Sequence, residues 1–68
     1  MVYRQKLSNR ELEIVQKIAN GYTDREIGQM LAISNTTVST HRKKILRKLK
    51  VRNTALLIRY AIEQKLVR

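Results

Sequence analysis

The chain has 68 residues, enough for one domain with a modest core and too few for a separate catalytic domain. Fifteen Lys and Arg against five Asp and Glu give a formal net charge of +10, which points to DNA, RNA or an anionic surface as partner, while 43% hydrophobic residues argue for a folded module over a basic tail. The lack of Cys excludes disulfides and thiolate metal sites, and no apolar run approaches the ~20 residues of a membrane span, so a soluble cytoplasmic protein with no membrane partner is expected.

Met1 to Lys6 is polar and reads as a linker remnant or a disordered N-terminus ahead of one domain over residues 7–68. From there the chain repeats one start signal three times: an apolar residue, a Ser or Thr cap, and a second apolar residue five positions after the first. The cases are Leu7/Ser8/Leu12, Tyr22/Thr23/Ile27 and Ile33/Ser34/Val38. Glu11 and Glu26 complete capping boxes in the first two, and Glu13 and Asp24 add favourable negative charge to the same turns. The first helix is predicted from about Asn9 to Asn20, with Leu12, Val15, Ile18 and Ala19 inward and Gly21 at its end. The second is predicted from about Asp24 to Leu31, with Gly28 as a close-packing position. Only Ala32 to Ser34 separate it from the third, so the pair has helix-turn-helix spacing.

The third helix, about 35–50, contains the distinctive segment. Thr36 to Lys50 holds six Lys or Arg and no acid, around an apolar stripe of Val38, Ile45 and Leu49. Its first turn, Asn35 to Thr37, is uncharged: either Thr37 is merely an acceptable residue there, or the neutral start is suited to a phosphate. At about 100 degrees per residue, Thr36, Thr40, Lys43 and Arg47 lie opposite the stripe. Ser39, Thr40 and Lys43 are the expected base contacts. Asn35, Thr36, Thr37, Lys44, Arg47, Lys48 and Lys50 are the expected backbone contacts. A solvated face would normally mix signs, but no acid occurs between Glu26 and Glu63. His41, at the margin of the core face, reads as structural; a single His without Cys assembles neither a metal site nor a nucleophile pair, so no cofactor and no enzyme activity are expected.

The fourth helix is predicted from Asn53 to about Gln64 and is apolar on almost every side. Either the monomer core takes all of it, or Leu57, Ile58 and Ala61 pack inward while Leu56 and Tyr60 face a second subunit. With three Tyr and no Phe or Trp, stacking platforms for single strands are scarce; a basic protein-interaction module remains the rival to a DNA binder.

These residues resemble the LuxR/GerE-type helix-turn-helix domains of bacterial transcription regulators, including the NarL/FixJ response regulators. The likeness runs from Leu7 to Val67 through LSNRELEIV, Gly21 with TDREIG, LAISNTTVSTH, ILRKLKV and NTALLIRYAI. Arg10 and Glu11 match the family's Arg-Glu pair, and Ile33, Ser34, Thr37 and Val38 its Ile-Ser-x-x-Thr-Val element. Gly28 stands where Ala is usual, Lys50 where Gly often precedes Val51, and Lys65 where Gly often precedes the last apolar pair. The resemblance implies an all-α, four-helix LuxR-type helix-turn-helix bundle that binds double-stranded DNA with its third helix in the major groove. It implies Thr23 as a further backbone contact. It also implies a weak homodimer through the fourth helix and an upstream receiver or ligand-binding domain, although stand-alone regulators occur.

Overall fold

The computed structural model describes residues 7–66; the expected linker remnant at Met1 to Lys6 lies outside them. Four α-helices follow in chain order: α1 (Asn9–Ala19), α2 (Asp24–Leu31), α3 (Asn35–Leu49) and α4 (Thr54–Glu63). The all-α expectation holds.

Each helix starts at its expected cap. The side-chain oxygens of Ser8, Thr23, Ser34 and Asn53 accept hydrogen bonds from the amides of Glu11, Glu26, Thr37 and Leu56, which satisfies one of the orphan donors of each first turn. In α1 and α2 the box is closed from the other side, where Glu11 and Glu26 accept from the backbone N–H of Ser8 and Thr23, both at 2.9 Å.

The helix ends share one geometry that composition predicts at a single site. Gly21, Ala32, Lys50 and Lys65 all have left-handed backbones, with φ of 92, 58, 57 and 57 degrees. After each, the next amide reaches back five residues: Tyr22 to Lys17, Ile33 to Gly28, Val51 to Leu46 and Leu66 to Ala61. An apolar residue follows the left-handed one every time, as in a Schellman end. Only the first uses Gly. At the other three an L side chain accepts a conformation that costs roughly 1–2 kcal/mol, and the reward is that orphan carbonyls are satisfied while the chain reverses into the next element.

The six largest fully buried side chains, Ile14, Val15, Ile27, Val38, Ile45 and Leu57, come from all four helices and make one core. Val38, Ile45 and Leu49 of α3 are buried as predicted. The buried face of α1 departs from expectation: Glu11, Ile14, Val15 and Ile18 are inside, whereas Leu12 and Ala19 are half-buried at its edge. The face is turned by roughly 60 degrees toward Ile14, and this rotation places a carboxylate close to its centre line.

α2 and α3 make the most extensive helix contact. Gly28 permits their tight turn: a Cβ there would lie 2.6 Å from the Ile33 carbonyl oxygen and 3.3 Å from the Asn35 amide nitrogen. The close approach is therefore to the turn itself and the first residue of α3.

Ala32→Gly removes the steric cost of the left-handed end, partly offset by a more flexible unfolded chain. The expected result is about 0.5–1 kcal/mol of added stability, read as a higher midpoint in thermal denaturation.

Candidate nucleic-acid interface

α3 is held by its apolar stripe and by two ion pairs, and what remains outside them is the candidate surface. Lys43, Lys44, Arg47 and Lys50 are exposed and enter no ion pair among the described residues. Asn35, Thr36, Thr37 and Thr40 are exposed beside them, and Ser39 is half-buried at the strip's edge. The strip combines a neutral, hydroxyl-bearing beginning with a cationic continuation, the charge order of a helix that approaches a duplex with its N-terminal half and meets phosphates along its length.

Local hydrogen bonds refine several expected contacts. Ser34 Oγ accepts the Thr37 amide at 3.0 Å and shares a hydrogen bond with Thr37 Oγ1 at 2.8 Å. The Thr37 N–H is thus already taken. The two hydroxyls replace the Glu of the other capping boxes without adding charge, so the first turn stays neutral. Thr40 Oγ1 donates to the Thr36 carbonyl at 3.0 Å, which leaves its methyl and its lone pairs for an outside partner. Thr23 is exposed at the start of α2, its hydroxyl engaged with the Glu26 amide at 3.1 Å.

Lys48, expected on phosphate, is ion-paired within the fold. Its Nζ lies 2.7 Å from Glu11 Oε1, the oxygen that also accepts the Ser8 amide. Glu11, at 4% exposure, has little solvent to satisfy it and depends on this partner. Arg42, absent from the expected contacts, is the second tied cation, with Nη2 2.7 Å from Asp24 Oδ2. The available signal was angular: Arg42 stands about 40 degrees and Lys48 about 80 degrees from Val38, on the core side of the wheel. His41 is half-buried at the edge of the same face.

On α4, Leu57 and Ala61 are buried and Ile58 is half-buried, while Tyr60, expected on the outer side, is half-buried and packs against the core. Leu56 is half-buried as well. Leu56 and Tyr60 line an open depression of about 280 Å³ with Lys50, Arg52 and Arg59, and the large apolar side chain exposed on this helix is Ile62, at 60%. Among the described residues no helix is long and apolar enough to cross a membrane, and no His, Cys, Asp and Glu cluster could hold a metal.

With this geometry in place, residues 5–61 match the model of the GerE family, described as bacterial regulatory proteins of the luxR family. The chain belongs to that family. It is similar to the oxygen regulatory protein NreC of Staphylococcus carnosus (strain TM300), with 43% identity over 61 residues that make up 90% of this chain and 28% of that protein. It is similar also to the uncharacterized response regulatory protein YgeK of Escherichia coli (strain K12), with 47% identity over 57 residues, 84% of this chain and 39% of that protein. The chain therefore spans less than two fifths of the length of these relatives. The LuxR-family match accounts for the helix order and makes the module a helix-turn-helix DNA-binding domain of a bacterial transcription regulator.

Burial pushes the Glu11 carboxyl up, but the hydrogen bonds from Lys48 and Ser8 and the Lys48 charge outweigh it, so the net shift is below the ordinary 4.5. A carboxyl depressed in the folded state adds stability that is fully present above its unfolded pKa and is lost as pH falls through its folded one. Glu11→Gln retains a capping-box side chain and removes the charge. It should lower stability at pH 7 by about 1–2 kcal/mol, with the gap to the parent chain closing in denaturant titrations carried below pH 4.5.

Proposed function

We propose that this domain reads specific sequences in double-stranded DNA by laying the first half of α3 in the major groove. The observation that carries this is the exposed, acid-free strip whose charge changes from neutral at Asn35 to Thr37 to cationic from Lys43 onward. A neutral start permits close approach to base edges and to a phosphate, where a capping Glu would repel it. Lys43 donates to guanine O6 or N7. Ser39 and Thr40 supply hydroxyls, and the Thr40 methyl meets a thymine methyl. Lys44, Arg47 and Lys50 bind phosphates, joined by the polar groups of Thr23, Asn35, Thr36 and Thr37. Lys48 leaves this set because Glu11 holds it.

The full protein is then a response regulator in which a receiver domain precedes this output domain. The name of YgeK and the small share of NreC and YgeK that the chain spans support that arrangement. Two copies bind adjacent half-sites and meet through α4, with Leu56 at the contact and Tyr60 bracing it from the half-buried side. One ten-residue helix buries little area, so the isolated domains associate weakly and the upstream domain governs pairing.

Competition between a duplex selected from a random pool and bulk DNA at physiological salt tests the specific reading; equal affinity for both would refute it. Lys43→Ala should cost about 1–3 kcal/mol at particular base pairs and relax preference there, while Arg47→Ala should weaken all sequences alike and reduce the salt slope by about one. Leu56→Glu should abolish concentration-dependent association in sedimentation runs and leave single half-site binding intact.

A further inference from the structure

Arg42 lies within the cation run of α3 without sharing its direction. Its side chain is 29% exposed and turned toward the core side of the helix. Nη2 donates to Asp24 Oδ2 at 2.7 Å and Nη1 to Thr54 Oγ1 at 3.2 Å. Asp24 is the first residue of α2 and Thr54 the first of α4, so one guanidinium ties the recognition helix to the starts of both neighbours. Its Nε is also buried, without a hydrogen-bond partner among the described residues. With both terminal nitrogens engaged on neighbouring helices, the guanidinium is directed away from the outward strip.

We propose that Arg42 is a positioning residue for sequence reading: it sets the roll of α3 about its own axis and so aims Ser39, Thr40 and Lys43, without touching DNA itself. The proposal rests on the reading face argued above. Apolar contacts fix the depth of a helix better than its rotation, because they are non-directional. A roll of about 20 degrees moves a side-chain tip near the helix circumference by about 2 Å, more than the roughly 0.5 Å over which hydrogen-bond distances vary. A planar guanidinium with its two terminal nitrogens on different helices resists that roll, and an ammonium on the same stem would hold one partner at a time. Lys48 with Glu11 braces the opposite flank near the end of α3; Arg42 acts at mid-helix, next to the residues being aimed.

The test compares the full chain with Arg42→Gln, Asp24→Asn, the double variant and Arg42→Lys. For each, the affinity ratio between a duplex selected from a random pool by the unaltered chain and a random duplex is measured, together with the salt slope and the thermal midpoint. Expected are a fall in the ratio of about tenfold for either single change, on the order of one lost base contact. The double variant should lose no more than the worse single variant, the salt slope should stay unchanged, and Arg42→Lys should restore part of the ratio. Uniform charge effects cancel in the ratio, as does any loss of folded protein. An unchanged ratio with a slope reduced by about one would make Arg42 a phosphate contact, and an unchanged ratio with only a lower thermal midpoint would make it a plain structural brace; either overturns the proposal. If no duplex is selected over bulk DNA by the unaltered chain, the reading face fails, and this role with it.

Discussion

The buried carboxylate of Glu11 constrains the rest of the molecule more than any apolar contact does. A charged oxygen at the centre of a helix face is tolerated only if donors reach it, and here they come from the Ser8 amide at the start of α1 and from Lys48 near the end of α3. The capping box therefore has two functions at once. It starts the first helix, and it offers an anion to which the last turn of the recognition helix is attached. Because Lys48 is 38% exposed on its own side, the pair spans the boundary between core and solvent, where desolvation is incomplete and the attraction is still stronger than in water.

The cations of α3 consequently belong to two populations. Arg42 and Lys48 face acids on the first turns of α2 and α1; Lys43, Lys44 and Arg47, with Lys50 at the cap just beyond, are exposed and outside these pairs. The first group holds the helix and the second gives it an electrostatic surface, so the net charge of +10 overstates what a polyanion meets on this helix. Acids at helix starts, favourable already through the helix dipole, become attachment points for a neighbouring helix.

What could be read from the residues was what depends on neighbours in sequence. Caps, staples and the first turns of all four helices are local chemistry, and Ser8, Thr23, Ser34 and Asn53 stand where that chemistry requires. The rotated face of α1 was not legible, because burying Glu11 in place of Leu12 makes sense only with Lys48, 37 positions away, as its partner. The left-handed end at Ala32 was hidden for a different reason: Ala does not announce a positive φ as Gly does, whereas Lys50 and Lys65 show theirs only by standing where Gly is usual in the family. On the candidate surface, the outward strip of Thr36, Thr40, Lys43 and Arg47 follows from helical periodicity, which also sets Arg42 and Lys48 on the core side; the partners those two meet depend on where α1, α2 and α4 come to lie. The two readings of Tyr60 could not be separated in the sequence, since an almost wholly apolar helix carries no polar face to show which side is out.

Gly28 gives the helix-turn-helix pair an engineering meaning. The turn sits where a methyl group would stand, within 2.6 Å of the Ile33 carbonyl oxygen, so the height of the turn over α2 and the pose of α3 are matched to one missing carbon. A recognition helix transplanted from a relative with Ala at this position comes from a scaffold of different clearance, and its side chains would be presented at an offset. Swapping specificities between such proteins calls for moving Thr23 to Leu49 as one cassette, with the glycine and its turn kept together.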